Sequence, residues 1–184
     1  MIALRDLQDD DRDRLFHWRL EPEVDRWMSD QAAQTLEENG RWFDEFRLDP
    51  DRRGWIITVD GVPAGFLTLT GLTSRHRRAS WGWYIGDAAA RGRGAGRAAQ
   101  ALGLDIAFDA LGLEKVQAEV LADNDVALKA QAAAGFRREG YLRAHVVKDG
   151  RRRDVVLLGI LAPEWRERRT ALRRALTTAN LIEA

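Results

Sequence analysis

Six residues in the middle of the chain, Arg91-Gly92-Arg93-Gly94-Ala95-Gly96, limit its possible folds more than any other stretch. Before them, Ser80-Trp81-Gly82-Trp83-Tyr84-Ile85-Gly86 is aromatic and strand-like. After them, Arg97 to Leu111 is alanine-rich, with apolar residues at helical spacing. A strand, a glycine-rich turn and a helix in that order aim several unpaired N–H groups at one point. The positive end of the helix dipole points there too, and such a place binds an anion, most often a phosphate.

Two other readings compete for the same residues. One is a flexible, charged surface loop. The other is a dinucleotide fingerprint of the G-x-G-x-x-A kind across Gly94-Ala95-Gly96-Arg97-Ala98-Ala99. The fingerprint fits poorly: a dinucleotide turn follows its strand at once and opens the domain, whereas Asp87 to Arg93 intervene here in mid-chain.

The flanking pattern supplies the frame. Ile2 to Leu7 reads as a short strand, and Asp9-Asp10-Asp11 starts a helix carrying Leu15, Phe16 and Trp18. Glu21-Pro22-Glu23 interrupts it and restarts a short helix through Val24, Trp27 and Met28. Thr35-Leu36-Glu37-Glu38 has the form of a capping box, opening a helix through Trp42, Phe43 and Phe46 that Pro50 closes. Strands follow at Trp55 to Val59, Ala64 to Leu72 and Ala79 to Ile85, the first two joined by a hairpin turn at Asp60-Gly61-Val62-Pro63. Beyond the glycine-rich turn and its helix, Lys115 to Leu121 alternates as a strand. Asp123-Asn124-Asp125 then caps an alanine-rich helix that Gly135 ends. Phe136 to Val147 and Arg152 to Leu161 pair across Lys148-Asp149-Gly150, and Pro163 starts a last helix. This order describes an α+β chain: a mixed, mostly antiparallel sheet of about seven strands flanked by helices. We expect a single domain over residues 1–162 and a C-terminal helical extension over 163–184.

Composition removes several chemistries. No cysteine is present, so disulfides, thiolate metal sites and a cysteine nucleophile are excluded. His17, His76 and His145 are scattered, with no metal-ligand spacing. The 29 basic and 29 acidic residues cancel, which gives no reason to expect nucleic acid or an anionic membrane as partner. No apolar run approaches the roughly 20 residues of a membrane helix, and no basic-then-apolar leader opens the sequence. The expected compartment is the cytoplasm.

Arg91-x-x-Gly94-x-Gly96 between strand and helix, then the strand Val116 to Leu121, then Asn124, Ala127 and Gly135-Phe136, resembles the GNAT family of acetyl-coenzyme A dependent N-acetyltransferases. The match runs in order from about Trp55 to Leu161. Trp18-Arg19 with Pro22-Glu23-Val24 and Trp27-Met28 is similar to one branch of that family. That branch holds the ribosomal-protein N-terminal acetyltransferases of the RimJ and RimL type and the amino-sugar acetyltransferases of the PseH type.

The resemblance implies acetyl-CoA as co-substrate, no metal, and a pyrophosphate seat on the main-chain N–H groups of Arg93, Gly94, Ala95, Gly96 and Arg97, with Gly92 among the cofactor-binding residues and Arg91, Arg93 and Arg97 adding charge. It implies a bulge in the preceding strand that splays the fourth and fifth strands. The pantetheine arm would lie in the gap against Trp83, Tyr84 and Ile85, where an N–H polarises the thioester carbonyl. Asn124 would contact that arm near Ala127, a role compatible with a plain N-cap.

The acceptor amine, with a pKa of about 10, must lose a proton before it attacks. Glu119 is the candidate base, the alternative being a solvated strand glutamate. Where related enzymes often carry a tyrosine that protonates the departing thiolate, this chain has Gln131, which leaves three readings: the thiolate departs without an acid, a water serves, or Tyr84 or Tyr141 substitutes. Arg19, Trp27, Met28 and Trp81 are candidates for the acceptor side, against the plainer reading of an ion pair and core packing. The expected acceptor is a small amine or amino sugar; the alternatives are a peptide N-terminus, or a non-catalytic acyl-CoA-binding protein. A homodimer is compatible with all of these.

Overall fold

The computed structural model describes residues 1–183. Its seven strands are β1 (Ile2–Asp6), β2 (Arg52–Val59), β3 (Val62–Thr70), β4 (Arg78–Ile85), β5 (Lys115–Leu121), β6 (Arg137–Lys148) and β7 (Arg151–Leu161), in the spatial order β1-β2-β3-β4-β5-β7-β6. Every neighbouring pair is antiparallel except β4 with β5. The helices are α1 (Asp11–Leu20), α2 (Pro22–Asp25), α3 (Leu36–Leu48), α4 (Ala95–Asp105), α5 (Asp125–Ala134) and α6 (Ala162–Thr178). α4 loosens into a π turn at Ile106–Ala110 before Gly112, at φ 62°, ends it. Among the described residues no helix is long and apolar enough to cross a membrane. Of the expected extension over 163–184, the last residue lies outside the described ones.

Local chemistry accounts for the turns. Asp60-Gly61 and Asp149-Gly150 both hold two successive positive φ angles, the geometry that matches the twist of a two-residue hairpin. Thr35 caps α3 by accepting from the Glu38 N–H at 3.1 Å. The reciprocal half of the box is displaced by one residue, since the Glu38 carboxylate takes the Gln34 N–H at 2.8 Å instead of that of Thr35.

The sheet is covered unequally on its two faces. On one, α4 lays Ala98, Ala101 and Leu104 on Leu67, Leu69, Trp81 and Val116, and α6 adds Trp165, Leu172 and Leu176 to the same core. On the other, α1 and α3 bury Leu15, Phe43 and Phe46 against Ile56 and Phe66. Each fully buried side chain of this size contributes about 1.5–3 kcal/mol of transfer free energy. The thin apolar stripe of α6 is therefore sufficient to hold it: Trp165 and Leu176 are both 0 % exposed.

Asp11 carries a concentrated polar duty. Its carboxylate is buried, yet it accepts two hydrogen bonds from Arg5, at 2.6 and 2.8 Å, one from the Gln8 N–H at 2.8 Å, and another from Arg14. Desolvation pushes its pKa up, but the Arg5 and Gln8 bonds with the charges of Arg5 and Arg14 more than offset this and hold it below the usual carboxylate range. A depressed folded-state pKa stabilises above the unfolded value and loses that stabilisation as pH falls. Asp11→Asn should therefore cost roughly 3 kcal/mol of stability at pH 7, as expected on breaking a buried pair. The deficit should shrink as pH drops below about 4, read by denaturant melts of both proteins at pH 3 to 7.

Candidate functional site

The site begins where two neighbouring strands stop pairing. β4 and β5 are in parallel register only at Arg78↔Lys115, Ala79↔Val116 and Ser80↔Gln117. Beyond that point β4 stays bonded to β3 as far as Ile85, and β5 stays bonded to β7 as far as Leu121. The sheet divides into two half-sheets with a gap between them. The expected bulge in β4 is absent: its register against β3 runs from Thr70↔Ser80 to Gly65↔Ile85 without a shift. The gap opens because each strand follows its outer partner, and irregularities occur instead in β2 with β3 and along β6.

At the wide end of the gap stands the glycine-rich turn. Gly94 is the N-cap of α4 at φ 82°, a left-handed conformation that a side chain would strain. Among the described residues, the main-chain N–H groups from Gly92 to Arg97 have no hydrogen-bond partner, and the first intrahelical bond is Ala98 N–H to Gly94 C=O at 3.0 Å. Six consecutive free donors at a helix N-terminus form an anion seat. Arg93 and Arg97 are exposed, and among the described residues neither lies within 4.0 Å of a carboxylate. Gly96 lets the start of α4 sit directly on Trp83; a Cβ at that position would lie 2.8 Å from the Trp83 ring. The donor set and the bare cradle fit a pyrophosphate.

Arg91 acts differently from the expectation. Its guanidinium donates to the Ile85 carbonyl and to the Gly86 carbonyl, each at 3.0 Å, and its own N–H donates to Ala88. Its charge and its donors tie the end of β4 to the turn, which leaves Arg93 and Arg97 as the side chains available to a phosphate.

Strand alternation sorts the remaining candidates. Trp81, Trp83 and Ile85 pack toward α4, while Ser80, Gly82 and Tyr84 face the other way. Trp81 is therefore no acceptor wall. It is 6 % exposed, stacks on Phe136 with ring centres 5.0 Å apart, and belongs to the core. Glu119 lies two residues past the last β4–β5 pair, exposed, on the opposite side of β5 from buried Ala118 and Val120. That is the face of Ser80, Gly82 and Tyr84. Asn124 caps α5, its side-chain oxygen accepting from the Ala127 N–H at 3.1 Å, and its amide donors remain for another partner.

Tyr84 packs beside Phe66 in the smaller core cluster, and burial is the main cause pushing its phenol pKa well up. A weaker acid than an ordinary phenol is a poor substitute for the missing tyrosine. Arg19 lowers that pKa and Asp30 raises it, so both stand near the hydroxyl; Arg19 donates to Asp30 at 3.2 Å. Tyr141 is exposed on β6 with its hydroxyl donated to Asp154 at 2.5 Å. Gln131 is buried, its side-chain oxygen without a partner. Trp27 lies under the Arg26 guanidinium at 4.7 Å, and Met28 beside it is half-buried.

A cleft of about 590 Å³ opens on the Glu119 side of the sheet. Its walls include Asp30, Trp42, Asp51, Thr68, Arg78 and Ser80. Sequence reasoning did not assemble this set, although Trp42, Thr68 and Ser80 each fall in an expected element, because its members come from α3, two strands and two loops and share no local spacing. The alternation of Ser80 and Gly82 with the buried tryptophans is the one signal that pointed to an open face.

The family described as "Acetyltransferase (GNAT) domain" matches residues 2–137 of this sequence. The uncharacterized N-acetyltransferase YoaA of Bacillus subtilis is 26% identical over 167 residues, covering 88% of this chain and 94% of that protein. The spermidine N(1)-acetyltransferase of Escherichia coli K12 is 24% identical over 164 residues, covering 89% and 88%. In fold the chain is similar to the crystal structure of spermidine N-acetyltransferase from Vibrio cholerae in complex with CoA and spermine. The TM-score is 0.83 at 22% identity, covering 89% of this chain and 97% of that one.

Gly96→Val should drive a side chain into Trp83 and displace the N-terminus of α4 with its free donors. We expect CoA affinity to fall at least about tenfold by calorimetry, with the far-UV spectrum unchanged. Undiminished affinity would remove the turn from the anion site.

Proposed function

The chain belongs to the GNAT acetyltransferase family, and from that premise we propose that it acetylates a small primary amine using the β4–β5 gap for the donor and the cleft on the Glu119 face of the sheet for the acceptor. Acetyl-CoA is the co-substrate. The observation that carries the reading is the run of six free N–H groups, Gly92 to Arg97, at the mouth of a gap whose β4 edge has no β5 partner beyond Ser80. The free donors hold the pyrophosphate, and the unpaired edge from Trp83 to Ile85 takes the pantetheine arm as a strand would. The segment from Trp18 to Met28 supports the finer placement beside the RimJ, RimL and PseH types.

The bound thioester supplies an activated acetyl group. The protein must supply a neutral amine and a fixed orientation. Glu119 is placed to accept the ammonium proton directly or through a water, since it stands on the acceptor face where the strands have parted. Asn124 presents its free amide donors near the same end of β5. With Tyr84 a weakened acid and Gln131 unable to give a proton, the thiol of pKa about 8.5 leaves as the thiolate.

The charges of the cleft narrow the acceptor. The spermidine acetyltransferases above act on a polycation, which calls for several free carboxylates. Here Asp30 is engaged by Arg19, while the Thr73 hydroxyl and N–H and the Gly71 N–H occupy Asp51. Arg52 and Arg78 stand in the same wall, Arg52 paired with Asp49 at 2.9 Å and Arg78 bonded to the neutral Gln117 side chain at 2.5 Å. Such a wall favours an acceptor with one reactive amine and polar or anionic substituents, such as an amino sugar, over a polyamine.

Two measurements test this. A free-thiol release assay should show faster turnover with amino sugars and their phosphates than with spermidine or N-terminal peptides; spermidine as the best acceptor would reject the assignment from cleft charge. Glu119→Gln should lower turnover about a hundredfold near pH 7 with CoA affinity intact. The deficit should narrow as pH approaches the amine pKa. A flat ratio across pH 6 to 9 would make Glu119 structural.

A further inference from the structure

α4 is the helix whose N-terminus offers the free donors, and the C-terminal segment grips it at both ends. At the far end, Asp105 accepts from the Trp165 indole N–H at 3.0 Å and pairs with Arg169 at 3.0 Å and Arg173 at 2.5 Å. Arg169 also reaches Asp109 at 2.5 Å. At the near end the chain leaves α6, turns at Asn180 with φ 55°, and sets the Leu181 side chain over Gly94. A Cβ on Gly94 would lie 2.7 Å from Leu181 Cδ1. The segment itself is fastened there: the Ile2 N–H donates to the Leu181 carbonyl at 2.7 Å, the Leu181 N–H donates to Leu176 at 2.9 Å, and Ile182 is 2 % exposed in the main core.

We propose that α6 and the turn through Leu181 act as a splint along α4, and that Leu181 is a positioning residue for the phosphate-binding turn. The physical need is plain. Gly92 and Gly94 both hold positive φ, and a Cβ on Gly92 would meet nothing within 4 Å, so beyond the brace at Arg91 the outer part of the turn has few contacts of its own. Six N–H groups act together on one anion only if their directions are set before it arrives. Leu181 supplies the apolar contact that blocks the outward movement of Gly94, and Ile2 holds Leu181 in place. The effect reaches the phosphates and not the acceptor cleft, whose walls come from the other face of the sheet. The proposal rests on the assignment of the glycine-rich turn to the pyrophosphate.

The test compares CoA with pantetheine, which has the arm and thiol but no phosphates, on the intact chain. Leu181→Ala should weaken CoA roughly tenfold while leaving pantetheine affinity and the KM for the amine unchanged, and Leu181→Met should restore CoA affinity. Leu172→Ala, in α6 and away from the turn, should lower the melting temperature without changing the CoA-to-pantetheine ratio. If Leu181→Ala does not fold, Leu181→Val carries the same comparison. The splint is overturned if the Leu181 variant binds CoA as the parent does, or if the Leu172 variant loses the CoA preference equally. A parent protein that binds CoA no better than pantetheine overturns the phosphate assignment, and the splint with it.

Discussion

The parting of β4 from β5 is the constraint on which the rest depends. Three parallel pairs hold the two strands together, and beyond Ser80 and Gln117 each belongs only to its outer neighbour. A sheet opened in this way leaves one strand edge with unpaired main-chain groups inside the molecule, where they need partners. The same division places Glu119 on an open face, since the residues that would have covered it are on a strand that has turned away. Donor gap and acceptor face thus arise from one structural event. Altering the pairing at Ser80 and Gln117 would disturb both.

The glycine-rich turn converts that opening into a directed site. Its donors are useful because α4 is held rigidly, and α4 is held by contacts distant in sequence: the arginines of α6 at Asp105, and Leu181 at Gly94. Arg91 contributes by bracing the carbonyls of Ile85 and Gly86, so the end of β4 and the start of the turn move as one piece. Charge at the site is divided accordingly, with one arginine fixing the main chain and two left facing solvent.

What the sequence revealed follows from which interactions are local. Hairpin turns at Asp60-Gly61 and Asp149-Gly150, the Thr35 cap and the alternation of β5 depend on neighbours a few residues apart, and all are found close to where the pattern puts them. The free donors of the turn were legible for the same reason. The bulge expected in β4 was not found, because the gap comes from pairing preferences of whole strands and not from one extra residue. Trp81 and Trp83 look alike in sequence, yet one stacks on Phe136 in the core and the other backs the cradle at Gly96. The contact of Leu181 with Gly94 and the walls of the cleft join distant segments, and no periodicity announces them.

Donor and acceptor selection are physically separable in this architecture. The donor is held largely by main-chain groups, whose geometry survives wide changes of sequence, which suits a co-substrate common to a family. The proposed acceptor cleft is walled by side chains: Asp30, Trp42, Asp51 and Arg78 lie on elements that can vary without moving the gap. At 24% identity to a spermidine acetyltransferase, a chain can retain the first arrangement while the second drifts. Asp30 is paired with Arg19 and Arg52 with Asp49, while Arg78 adds positive charge to the same wall, an arrangement that on the proposed reading disfavours a polycation. On the proposed reading the fold fixes what is given, and the charge balance of one cleft selects what receives it.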